Sequence, residues 1–170
     1  MKILVFSDSH GKPDRLEAAI RRVPADAAIH LGDGARDFET ARERLGADFD
    51  RRMRFFSVRG NCDLGPEGLP LESEIVLGGL RFLILHGHTR RVKYGTKDLE
   101  DYARARGVDA VLYGHTHSAD DRLLPGGPGK QPLRIFNPGS IGGSLYLSPH
   151  FGILEIRDGT LFTNSVLWEP

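Results

Sequence analysis

Lys2-Ile3-Leu4-Val5-Phe6-Ser7-Asp8-Ser9-His10-Gly11 opens the chain, and the fold can be read outward from it. The run Ile3–Phe6 is apolar without alternation and rich in β-formers, the pattern of a strand buried on both faces. It empties at once into a polar segment carrying carboxylate, hydroxyl and imidazole. The same event recurs four times. Ala27–Leu31 stops at Gly32-Asp33, Arg54–Val58 at Gly60-Asn61, Leu80–Leu85 at His86-Gly87-His88, and Ala110–Tyr113 at Gly114-His115-Thr116-His117. Five of the seven histidines lie in these segments; His30 sits inside a strand and reads as a satisfied core residue, and His150 belongs to no motif. Ligands collect outside the carboxyl ends of strands in open α/β sheets, so the five polar deposits are expected to converge on one edge.

Between these strands, Pro13-Asp14 opens a helix with Leu16, Ala19, Ile20 and Val23 on one face, ended by Pro24. Phe38, Ala41 and Leu45 mark a second helix with Gly46 as its stop, and Thr96–Arg106 forms a third. Arg51-Arg52-Met53-Arg54 reads as a solvated connection into the next strand. Glu74–Leu77 and Leu80–Leu85, split by Gly78-Gly79, have hairpin spacing, as do Gly152–Ile156 and Leu161–Val166 around Asp158-Gly159. Arg122–Leu124 and Leu133–Phe136 flank the turn Pro125-Gly126-Gly127-Pro128-Gly129. The order βαβαβ, hairpin, αβ and a β-rich end predicts an α/β (α+β) fold, with helices flanking one or two mixed sheets in a single domain over 1–170.

Composition narrows the partners. Among 170 residues, 23 Lys and Arg balance 23 Asp and Glu, so no basic surplus exists to neutralise a large nucleic acid. No apolar run approaches the roughly 20 residues of a membrane span, and no membrane partner is expected. The start turns polar too soon for a signal peptide. With Cys62 the only cysteine, no intramolecular disulfide can form, and a reducing, cytoplasmic setting is expected.

Asp8 with His10, and His115 with His117, stand two residues apart, so in extended backbone both members of a pair point the same way. Mixed imidazole, carboxylate and amide donors without thiolate suit a divalent Mn, Fe, Co, Ni or Zn ion, and not a Cys-rich structural zinc site. Taken singly, each residue has a plainer reading. A carboxylate ahead of a helix is also an N-cap, Asn61 suits a left-handed turn, a histidine is often a hydrogen-bonded core group, and Cys62 is a small inert residue. Five such segments, each at a strand end, favour the metal.

In this order the motifs resemble the calcineurin-like metallophosphoesterase superfamily: D-x-H at Asp8–His10, GD at Gly32-Asp33, GN at Gly60-Asn61, HGH at His86–His88 and GHTH at Gly114–His117. GNCD at Gly60–Asp63 and NPGS at Asn137–Ser140 resemble its small single-domain prokaryotic phosphodiesterases. The resemblance implies a four-layer sandwich, two facing mixed sheets flanked by helices, with a dinuclear metal centre at one edge. It implies that Asp8, His10 and His117 hold one ion, that Asn61, His86 and His115 hold the other, and that Asp33 bridges them. Manganese is the expected ion, with nickel, iron, cobalt and zinc as alternatives. The implied reaction is hydrolysis of a small phosphodiester by a hydroxide held between ions about 3.5–4 Å apart.

Many members carry GNH where this chain has Cys62. A thiol with an ordinary pKa of ~8.5 is a poorer acid than an imidazolium, so poor leaving groups are disfavoured. His88 becomes the candidate proton donor, Asp63 a candidate to orient a histidine, and Arg59 a candidate phosphate contact. Specificity is expected from the loops Asp63–Leu71 and Thr89–Gly95. The superfamily likeness further implies a homo-oligomer. It leaves as alternatives a nuclease or phosphatase, or a non-catalytic scaffold like the small retromer subunit of eukaryotes.

Overall fold

Alternation along the parallel strands sorts their side chains into separate layers of core. In the computed structural model, which describes residues 1–63, 68–129 and 131–169, β1 (Lys2–Phe6), β2 (Ala27–His30) and β3 (Arg54–Ser57) lie parallel, and β9 (His150–Arg157) and β10 (Thr160–Leu167) extend the sheet antiparallel in the order β10-β9-β1-β2-β3. A second sheet runs β4-β5-β6-β8-β7, from β4 (Glu72–Leu77), β5 (Leu80–Leu85), β6 (Ala110–Leu112), β7 (Asp120–Leu124) and β8 (Leu133–Asn137). Its central β5, β6 and β8 are parallel, and the outer two strands are antiparallel.

Ile3, Val5 and Ile29 on the first sheet meet Phe82, Ile84, Leu112 and Phe136 on the second. The intervening residues point outward. Leu4, Phe6 and Ala28 pack under α1 (Pro13–Arg22) and α2 (Ala35–Leu45), while Leu83, Leu85 and Val111 pack under α4 (Lys97–Arg106). Two mixed sheets thus face each other between helices, as the family resemblance implies. The helices follow local rules. Pro13 starts α1 where an amide hydrogen is dispensable, and Gly107, at φ 63°, ends α4 in the left-handed conformation.

Two segments depart from the sequence reading. The connection ahead of β3 contains a further short helix, α3 (Ala47–Arg52), with Asp48 and Asp50 in its first turn and Arg51 and Arg52 in its last. That charge order suits the helix dipole, but no side chain of α3 is fully buried, so no apolar period marks it. The Thr89–Gly95 loop folds into two 3₁₀ turns, His88–Arg90 and Val92–Tyr94, anchored by Val92 in the outer core of the second sheet. Of the other expected specificity loop, Asp63–Leu71, residues 64–67 lie outside the described residues.

Candidate metal centre

The five polar segments follow β1, β2, β3, β5 and β6, all parallel strands, and the facing of the sheets brings them to one edge. Three clusters of donor atoms arise there, each with all its atoms within 4.8 Å of one another: Asp8, His10 and His117; Asp33, His86 and His115; and His10, Asp33 and Cys62. His86 joins the first two, its Nε2 lying 3.3 Å from Asp33 Oδ2 and 3.9 Å from Asp8 Oδ1. Asn61 lies on the adjoining turn, exposed, its Nδ2 donating to Cys62 Sγ at 3.2 Å.

The backbone reaches these positions differently from the expected extended pairs. Among the described residues, seven non-glycine residues have positive φ, and five are Asp8 (53°), His10 (44°), Asp33 (56°), His115 (68°) and His117 (60°). Left-handed backbone at a residue with a β-carbon costs roughly 1–3 kcal/mol and clusters where function demands it. Each pair converges through left-handed residues in a tight loop, not through the pleat of a strand. Glycines make room for this. A β-carbon on Gly60 would stand 2.1 Å from Asp33 Oδ1, and one on Gly114 would stand 1.9 Å from Ser7 Oγ.

Hydrogen bonds aim the donors. His86 Nδ1 donates to the Leu31 carbonyl at 2.8 Å, which aims Nε2 at the two carboxylates. Asp8 Oδ2 accepts from Ser7 Oγ at 2.5 Å and from the His115 amide at 3.0 Å. Asp33 Oδ1 accepts from the Cys62 amide at 2.7 Å. Neither aspartate is a helix N-cap: Lys12 and Gly34 hold those positions ahead of α1 and α2, without a side-chain cap.

This arrangement fits divalent ions. Asp8 Oδ1 is buried and receives no hydrogen bond, although His117 Nε2 stands 3.1 Å away. His10 Nε2 and His117 Nε2 face each other at 3.2 Å, as do His115 Nδ1 and His86 Nε2. Imidazole nitrogens crowded on buried carboxylates are poor neighbours unless a proton or a metal ion lies between them. Burial raises the Asp8 and Asp33 pKa values, but His117, His86 and Ser7 around Asp8, and His86 and the Cys62 amide around Asp33, more than reverse this, so the Asp8 carboxyl ionises below its usual value and that of Asp33 well below it. Burial works against charge on His86, yet Asp33 and Asp8 raise its pKa; the Asp8 carboxylate beside it raises that of His117. His115, desolvated beside His86, falls to about 4.

The other candidates fall as follows. His88 stands at the rim, its ring centroid 5.4 Å from that of His86, and its Nδ1 is buried without a hydrogen-bond partner. Burial and His86 lower its pKa, so it is mostly neutral near pH 7 and offers an N–H. Arg59 is exposed, with no ion pair among the described residues, and its charge reaches His88. Asp63 does not orient a histidine. Its carboxylate accepts from the amides of Asp33 and Gly60 at 2.8 Å each and of Gly34 and Ala35 at 2.9 Å each, capping α2 from another loop and tying the Asp33 turn to the Gly60 turn. His30 is a core histidine, its Nδ1 accepting from the Gly32 amide at 3.2 Å and its Nε2 placed 3.3 Å from Ser9 Oγ; burial lowers its pKa to about 4.

Sequence reasoning left the supporting residues unassigned. Asn137 Nδ2 donates to the Gly114 carbonyl at 3.1 Å and to Thr116 Oγ1 at 3.0 Å, and Ser140 Oγ donates to the Asp8 carbonyl at 2.8 Å. The NPGS segment therefore ties the GHTH loop to the Asp8 loop. Asp37 on α2 accepts from Ser9 Oγ and from the Gly11 amide at 2.7 Å each, and no local pattern marks it for that task.

Residues 1–159 match the model of the calcineurin-like phosphoesterase superfamily domain. A probable metallophosphoesterase of Bacillus subtilis, YsnB, is 31% identical over 145 residues, 83% of this chain and 75% of that protein. A probable metallophosphoesterase of Mycoplasma pneumoniae is 30% identical over 143 residues, 82% of this chain and 79% of that protein. Among solved structures, a predicted phosphoesterase from Streptococcus pneumoniae superposes with a TM-score of 0.74 at 25% identity, covering 98% of this chain and 88% of the other. A single mutant of Vps29 from Entamoeba histolytica (TM-score 0.72, 23% identity, 99% and 100% covered) and an archaeal phosphodiesterase (TM-score 0.71, 22% identity, 98% and 100% covered) share the fold.

Proposed function

Because the chain belongs to the calcineurin-like phosphoesterase superfamily, we propose that it is a divalent-metal-dependent phosphodiesterase acting on a small phosphodiester. The observation that carries this reading is the junction of Asp8, His10 and His117 with Asp33, His86 and His115 through His86. Asp8, His10 and His117 would hold one divalent ion, and Asn61, His86 and His115 a second, with Asp33 between them. Manganese is the first candidate, ahead of nickel, iron, cobalt and zinc. Ions held there would supply Lewis acidity toward a phosphoryl oxygen and would make a water more acidic.

The chain's own residues perform the rest. Asp8 and Asp33, ionised throughout the physiological range, hold positive charge at the edge. His88 offers its ring N–H to an oxygen of the phosphoryl group, and Arg59 meets charge on a non-bridging oxygen. Cys62, whose pKa is raised by burial and by Asp33, stays protonated and is a weak acid. The site therefore favours diesters with good leaving groups over monoesters. Neutral net charge supports a small substrate over a long nucleic acid. The proposed setting is the reducing cytoplasm, with the chain working as a homo-oligomer. No helix among the described residues is long and apolar enough to cross a membrane.

The test is turnover. Protein loaded in turn with each of the five ions should release aryl alcohol from a generic aryl phosphodiester faster than from the matching monoester. Asp33→Asn should lower kcat by at least about 100-fold. No turnover with any ion, or a preference for the monoester, overturns the reading. The likeness to Vps29 favours a scaffold as the second reading, in which the metal-loaded protein would hydrolyse neither ester.

A further inference from the structure

Cys62 stands where three loops meet. Its amide is fixed by Asp33 Oδ1 at 2.7 Å, and its sulfur accepts from Asn61 Nδ2 at 3.2 Å. The sulfur, a ring nitrogen of His10 and a carboxylate oxygen of Asp33 lie within 4.8 Å of one another. Cys62 and His10 are both exposed, so an ion has an open approach. The other two clusters offer nitrogen and oxygen only; this one adds sulfur, the donor that soft ions prefer. Its remaining members are shared: His10 belongs to the cluster of Asp8 and His117, and Asp33 to the cluster of His86 and His115. An ion drawn to the sulfur withdraws one donor from each.

We propose that Cys62, His10 and Asp33 form a third, sulfur-bearing donor set that captures a thiophilic divalent ion and thereby excludes the ions held by the other two clusters. On binding, the Cys62 S–H proton passes to solvent, a sulfur–metal bond forms, and no oxidant or reductant takes part. The set makes the centre sensitive to inactivation by soft cations: a cadmium-type ion parks across both halves. This inference rests on the metal-centre reading of the two neighbouring clusters and not on the identity of the phosphoester.

The test uses cadmium ion and the full chain. Titration of metal-free protein should raise ultraviolet sulfur-to-cadmium charge-transfer absorption that saturates at one ion per chain. Cys62→Ser should abolish the band, His10→Ala should weaken cadmium binding at least about 10-fold, and prior loading with manganese should move the titration to higher cadmium. No band in the unaltered protein, an unchanged midpoint in His10→Ala or indifference to manganese overturns the proposal; an unchanged midpoint means the exposed thiol binds alone. Failure to hydrolyse any phosphodiester would overturn the function proposed above while leaving this titration intact.

Discussion

At Asp63 one carboxylate does the work of several caps. It collects amides from Asp33, Gly34, Ala35 and Gly60, so two ligand-bearing turns and the first turn of α2 depend on a single side chain. Burial opposes its charge, but the four amides together lower its pKa below the ordinary carboxylate value of 3.8. The sign follows: this stabilisation is fully present above that value and is lost as pH falls through the lower folded-state pKa. Asp63→Ala leaves those amides without their acceptor and should cost about 1–3 kcal/mol in denaturant unfolding at neutral pH. Asp63→Asn, which keeps one acceptor oxygen, should cost less. Equal stability of the alanine variant and the unaltered chain would show that water satisfies the turns. The residue type was legible in the GNCD motif and its partner was not. Sequence names a group able to accept hydrogen bonds, but only the packing of the loops decides whether an imidazole or an amide arrives.

At the scale of elements, the parallel strands were the most legible parts, because burial on both faces demands unbroken apolar runs. Ile3–Phe6 and Phe82–Leu85 split their residues between two cores and leave no place for a polar group. The neighbours of a strand were less legible. Nothing local states that β9, from the far end of the chain, lies beside β1, with Lys2 opposite Glu155 and Val5 opposite Gly152. That register explains Gly152, a glycine within a strand. A β-carbon there would stand 2.7 Å from Phe136 Cε1 on the facing sheet, so the glycine lets the sheets close where both approach the ligand loops. Gly152→Ala should overpack this contact and lower stability by about 1–3 kcal/mol, read as a lower Tm. An unchanged Tm would mean that Phe136 moves aside freely. The left-handed turns at Asp8, His10, Asp33, His115 and His117 were not legible, since none is a glycine and only contacts between distant loops hold such backbone in place.

Over the whole molecule, the balance of 23 basic and 23 acidic residues describes the chain without ions. Two divalent ions would add about four positive charges at one edge, where a phosphoryl group must dock. Protons compete for the same places. Despite burial, the carboxylates raise the pKa of His86 above the ordinary 6.5, and Asp8 does the same for His117, so in metal-free protein each ring is stabilised by a proton below that value and loses it as pH rises through the raised pKa. An ion needs both rings neutral, so its binding releases these protons and strengthens as pH rises. An ion at about 100 times its Kd stabilises the folded chain by roughly 2.7 kcal/mol. Adding manganese should therefore raise Tm clearly near pH 8, and the same ion concentration should raise it little near pH 5. Stripping with a chelator should reverse the gain at the higher pH alone. A metal-induced shift of equal size at both values would mean that His86 and His117 do not face the ion, and the edge would then have to be rebuilt around Asp33, His115 and the remaining donors.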